Sequence, residues 1–120
     1  MEGLVFLRIR GLFMKVKTSS EKLGKMLADS RALQKKYGKQ VATKVNQRYA
    51  ELRGADNLSE ISTNPPTRLH PLQGTMQDTY AIDLTSNVRM VVKGYNDEGE
   101  QTTNRAEAVE VVIVDILDYH

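Results

Sequence analysis

Cysteine is missing altogether, so nowhere in the 120 residues is there a disulfide framework or a thiolate metal site. That composition fits a reducing cytoplasm, and a zinc site is not expected. Long apolar runs are missing too. The opening Met1 to Arg10 holds four consecutive apolar residues, Leu4 to Leu7, before its arginines. Four is too few for a signal-peptide core and far short of a membrane span, so a soluble chain without membrane partners is expected. Met14 opens a second start-like run, Met-Lys-Val-Lys-Thr, which makes residues 1 to 13 a candidate N-terminal extension of a single domain spanning 1 to 120. Histidine is nearly as scarce, with only His70 and the last residue, His120.

Charge is balanced overall at +2 but unevenly placed. Residues 1–60 carry 13 Lys and Arg against 6 Asp and Glu, net +7, whereas residues 61–120 carry 4 against 9, net −5. A basic half on a small domain is the electrostatic footprint of a nucleic-acid or ribosome binder, because neutralised phosphates release counterions. Lysine-rich helices are more often simply solvated faces, so charge alone does not decide.

Residues 4–9 and 13–18 are rich in β-branched and apolar residues, with Phe13, Lys15 and Lys17 alternating against Met14 and Val16. Ser19 or Ser20 then offers a helix cap. Leu23, Met26, Leu27, Leu33 and Tyr37 fall on one helical stripe that ends at Gly38, with a bend expected near Asp29-Ser30. A second amphipathic helix over 39–53 sets Val41, Ala42, Val45, Tyr49 and Leu52 inward and Lys44, Gln47 and Arg48 outward, before Gly54. A short helical turn over 57–61, capped by Asp56 or Asn57, precedes the Asn64-Pro65-Pro66 breaker.

From Thr67 onward the period changes to two. Strands are expected at 68–72, 79–84, 88–93 and 109–117, separated by turn signals at Gly74 and Ser86-Asn87 and by a polar loop over 94–105. Helices first and a meander afterwards is an α+β layout: two N-terminal helices on one face of a mainly antiparallel, four- to five-stranded sheet.

Both histidines lie in distinctive segments. Leu69-His70-Pro71-Leu72-Gln73-Gly74, then Asn87-Val88-Arg89 before an apolar strand, then a final Asp118-Tyr119-His120, together resemble the HigB-like killer proteins of the RelE/ParE toxin superfamily over residues 14–120. The resemblance implies a RelE-like fold and the toxin of a type II toxin–antitoxin module. Such a toxin is a ribosome-dependent endoribonuclease, an mRNA interferase, held inactive by a cognate HigA-like helix-turn-helix antitoxin through which it reaches operator DNA. It implies no cofactor.

Metal-free RNA cleavage removes a proton from a ribose 2′-hydroxyl, stabilises charge on the phosphate and protonates the departing 5′-oxygen. Histidine suits the proton steps, since its ordinary pKa of about 6.5 keeps both forms available. Arginine suits the phosphate through its planar fork. On the family's template His70 and His120 are the acid–base pair and Arg89 is the phosphate clamp. Tyr119 stacks on a base, and Asp118 orients a histidine or the terminal strand. Strand alternation sets Asp118 and His120 on one face and Tyr119 on the other. Arg68, Gln73, Lys93, Lys44 and Arg48 are the candidate RNA contacts. Gln73 and Thr85 stand where many relatives carry a basic residue, which removes two phosphate contacts. Two other readings fit the same resemblance: a non-catalytic ParE-like inhibitor of DNA gyrase, and an inactive homologue that only binds its antitoxin.

Overall fold

In a computed structural model, which describes residues 13–118, three helices cover one face of a six-stranded sheet. Strand β1 is Lys15–Thr18, followed by helices α1 (Glu21–Ala28), α2 (Ser30–Tyr37) and α3 (Lys39–Arg53). Strands β2 (His70–Pro71), β3 (Tyr80–Asp83), β4 (Val88–Tyr95), β5 (Gln101–Thr102) and β6 (Glu110–Asp118) complete the chain. Sheet order is β1-β6-β4-β3-β2, with β5 pairing the far end of β4. The β1–β6 pair is parallel and the others are antiparallel, so the expected α+β layout holds. The possible strand at residues 4–9 lies outside the described residues.

The expected first helix is two helices, because Asp29 serves both. Its backbone is extended and its N–H closes the turn on the Met26 carbonyl, while its carboxylate accepts from the Arg31 and Ala32 amides at 3.0 and 3.2 Å. A short acidic side chain that caps a new N-terminus outcompetes continuation of the old helix. Ser20 caps α1 through Leu23 N–H, as its position implies, and Asn57 caps a 3₁₀ turn at Leu58–Glu60.

The core lies between helices and sheet. Leu33, Val41, Val45 and Leu52 meet Ile82, Val88, Met90, Val92, Val111, Ile113 and Ile116, all buried. Along β4, Val88, Met90 and Val92 therefore face the helices, and Arg89 and Lys93 point to the opposite face. An irregularity between Val91 and Val92 in the β4–β6 ladder absorbs one extra residue of β6. Gly94 sits where the layers pinch: a Cβ there would lie 2.9 Å from Ala108 Cβ and 3.3 Å from Leu58 Cδ1. Glycine is needed for that approach.

The loop expected over 94–105 is partly ordered, since β4 runs on to Tyr95 and the chain returns through β5. No helix among the described residues is long and apolar enough to cross a membrane.

Candidate active site

His70 owes its setting to the residue two positions earlier. Arg68 adopts a left-handed backbone, φ 49°, a conformation that costs a non-glycine residue about 1 kcal/mol or more and is found at over-determined sites. That turn aims the Arg68 carbonyl back at the imidazole, and His70 Nδ1–H donates to it at 2.7 Å. A carbonyl can only accept, so Nδ1 carries the proton, and in the neutral ring Nε2 keeps the lone pair. His70 is thereby set as a proton acceptor at Nε2.

Register brings Arg89 to the same face. In the β2–β3–β4 ladder His70 lies opposite Ala81, and Ala81 opposite Val91. Two residues along, Asp83 lies opposite Arg89. Directly opposed residues share a face, and so do alternate residues of one strand, so His70, Asp83, Arg89 and Lys93 lie together on the side away from the helices.

Asp83 ties the group together. Arg68 Nε donates to its Oδ2 at 2.7 Å and Arg68 Nη2 to Oδ1 at 3.4 Å, while Arg89 Nε stands 3.6 Å from Oδ1. One carboxylate holds two guanidinium groups.

Beside His70 opens a cavity of about 710 Å³ whose lining includes Arg68, His70, Gln73, Asp78, Tyr80 and Arg105. Tyr80 is almost wholly buried, and its hydroxyl donates to the Thr103 carbonyl. Burial raises the Tyr80 pKa above the ordinary tyrosine value, and the charge of Arg105 works in the opposite direction. The cavity's volume is within the range of small-ligand sites, and Arg68 and Arg105 are the cations in its lining.

Not every expected contact joins this group. Gln73 is exposed on the cavity rim, and Lys93 is half-buried on the same face, opposite Val112 and beside a smaller cavity that Asp78 and Asp115 also line. Lys44, half-buried on α3, belongs to the helix layer across the sheet.

Arg48 is a correction: it is 2 % exposed, not an outward RNA contact. Position 48 follows Val45 by three and precedes Leu52 by four, so helical spacing places it inside the apolar stripe whatever its charge. Its Nε donates to the Asp83 carbonyl at 2.9 Å and its Nη1 to Glu51 Oε2 at 2.9 Å, but Nη2 finds no hydrogen-bond partner among the described residues.

Asp118 pairs across β4 with Val88, whose side chain is in the core, so it stands on the helix side of the sheet and Leu117 is opposite Arg89. Tyr119 and His120 lie outside the described residues. Thr85, where a cation was expected from the resemblance, holds the β3–β4 turn: its hydroxyl accepts from Val88 N–H at 3.2 Å.

No protein-family model matches the chain, and no curated protein matches it in sequence. Among solved structures, the YoeB/ParE toxin from Agrobacterium tumefaciens superposes with a TM-score of 0.52, covering 89% of this chain and 100% of that chain at 14% identity. The fold is that of a YoeB/ParE toxin. At that identity the likeness carries the helix-on-sheet scaffold and not the chemistry, which rests on this chain's own residues. The sequence alone does not point to Asp83, Tyr80 or Arg105. Asp83 was detectable only through its partner, since nothing in Tyr80-Ala81-Ile82-Asp83 announces that two arginines converge on it. Arg105 closes the segment expected as a polar loop over 94–105.

Proposed function

We propose that this chain is the toxin of a type II toxin–antitoxin module and acts as a ribosome-dependent, metal-free mRNA endoribonuclease of the HigB kind. The observation that carries the reading is the placement of His70, its tautomer fixed by the Arg68 carbonyl, at a cavity of small-ligand size on the same sheet face as Arg89. The YoeB/ParE fold supports the coarser reading as a toxin.

In this mechanism Nε2 of His70 takes the proton of a ribose 2′-hydroxyl as its oxygen attacks the adjacent phosphorus. Charge growing on the phosphate oxygens is met by Arg89, and the bond to the 5′-oxygen breaks as that oxygen gains a proton. His120 is the proposed acid for that last step. Tyr119 is proposed to stack on a base beside the scissile phosphate, and Asp118 to orient the terminal strand from the helix side. The products are a 2′,3′-cyclic phosphate and a free 5′-hydroxyl. Arg68, Gln73 and Lys93 are proposed to contact the message near the cavity, and Lys44 to meet ribosomal RNA from the helix layer. The setting is cytoplasmic. The partner is a HigA-like helix-turn-helix antitoxin, and the complex binds the operator of its own genes.

Asp83 favours a second reading. By neutralising part of the charge on Arg68 and Arg89 it thins the cations that a nuclease needs, as a contact inhibitor of DNA gyrase or an antitoxin-binding remnant would tolerate. Induced expression in a bacterial host separates the three. Growth arrest by the wild type that is lost in a His70→Ala/His120→Ala variant supports the nuclease. Arrest by both supports the contact inhibitor, and arrest by neither supports the remnant.

A further inference from the structure

We infer that the Asp83 carboxylate occupies the place of a substrate phosphate, so that RNA binds by displacing it from Arg68 and Arg89. The inference rests on the RNA-binding part of the proposed function and assigns a residue that neither the sequence segments nor the fold identifies.

The geometry is that of an anion in an arginine fork. Arg68 presents Nε and Nη2 to the two oxygens at 2.7 and 3.4 Å, the side-on bidentate arrangement guanidinium groups use for carboxylate and phosphodiester alike. Arg89 approaches Oδ1 from the neighbouring strand at 3.6 Å. His70 is bound to the same Arg68 through its backbone carbonyl, so the anion site and the proton acceptor are built on one residue.

The Asp83 backbone is separately secured, its N–H to the Thr67 carbonyl at 2.8 Å and its carbonyl to Arg48 Nε at 2.9 Å. The side chain can therefore let go of its arginines without the strand moving. Arg68 and Asp83 side chains keep 39% and 20% of their surface exposed, so an incoming phosphodiester can reach the pair.

Ionised Asp83 offsets one unit of the positive charge that Arg68 and Arg89 bring to the phosphate, and neutralising it restores that unit. The carboxylate thus sets both the affinity and its dependence on salt: the weaker the internal anion, the more counterions RNA must release to bind. A protein so built holds free message loosely and grips it only where other contacts, such as those of a ribosome, help the exchange.

The test is fluorescence anisotropy of a short single-stranded RNA with the full chain, wild type and Asp83→Asn, across a salt series. Asparagine keeps the shape and removes the charge. Asp83→Asn is expected to bind about tenfold more tightly at low salt, where one unit charge a few ångströms from a phosphate is least screened. Its log–log salt slope is expected to steepen, by up to about 0.7, because one more net positive charge meets the same phosphate. The gain is expected to vanish in Asp83→Asn/Arg68→Ala/Arg89→Ala.

Unchanged or weakened binding by a folded Asp83→Asn would overturn the inference, because the carboxylate would then be positioning the arginines for RNA. Should the variant unfold, the wild type still answers: the Nε–H resonances of Arg68 and Arg89 must shift on saturation with RNA, and signals that stay put overturn the exchange. Neither readout involves ribosomes or cleavage, so a chain that cuts no message but tightens on loss of Asp83 separates this inference from the nuclease reading.

Discussion

Replacing Arg48 tests whether a cation in the basic half serves the fold or the message. Arg48→Ala removes a charge-assisted hydrogen bond to the Asp83 carbonyl, a group of bonds that contribute about 1.5–3 kcal/mol each. The bond to Glu51 adds less than about 1 kcal/mol, since that carboxylate is 43% exposed. Two buried methylenes contribute about 0.8 kcal/mol apiece. Against these stands the relief of Nη2, buried without a partner, a penalty of about 1–3 kcal/mol. The balance is a loss of about 2 kcal/mol, or some 6–10 °C in Tm for a domain of this size.

Arg48→Met keeps most of the stem, and its lost hydrogen bond and relieved Nη2 nearly cancel, so it should lie within about 1 kcal/mol of the wild type. Urea unfolding reads both. RNA affinity of the folded Arg48→Met protein should equal that of the wild type. A variant of unchanged stability that binds RNA several-fold more weakly would refute the assignment of Arg48 to the core.

Other positions give sharper single effects. Asp29→Ala should lower stability by about 1 kcal/mol in urea unfolding, whereas Asp29→Ser, which can still cap α2, should retain most of it. Gly94→Ala, whose new methyl would lie 2.9 Å from Ala108 Cβ, should lose about 1–3 kcal/mol, measured the same way. Tyr80→Phe should be about 1 kcal/mol less stable at pH 8, through its lost bond to the Thr103 carbonyl. Because the folded tyrosine pKa is raised, the unfolded chain ionises first above pH 10.0, and wild-type stability falls there. The gap between Tyr80→Phe and wild type should therefore narrow as pH rises through that window, and a gap constant to pH 11 would contradict the assignment.

What the sequence made legible was local. The alternation of Lys15 and Lys17 against Met14 and Val16, the stripe from Val41 to Leu52 and the β4 pattern around Met90 each follow from a period of 2 or 3.6, and each stands as read. Arg48 was misplaced because polarity was allowed to outvote position on that stripe. The break at Asp29 was visible only as a bend, since capping and continuation are close in energy for an aspartate between two apolar stripes. The candidate site depends on pairing between distant strands. His70, Asp83 and Arg89 share a face only because the turn at Thr85 sets the β3–β4 register and β2 adds at the edge. No window of residues contains that information. The same holds for the parallel pairing of β1 with β6, which joins the two ends of the described chain.

The central claim is that His70 is a proton acceptor for cleavage of translated RNA. Its most direct test is primer extension on a reporter message in a purified translation system, with wild type and His70→Ala added in turn. The account predicts new message ends with the wild type and at least a hundredfold fewer with His70→Ala, the typical contribution of a general base being about 10²–10⁴. Message left intact by the wild type, or cut equally by His70→Ala, would contradict it.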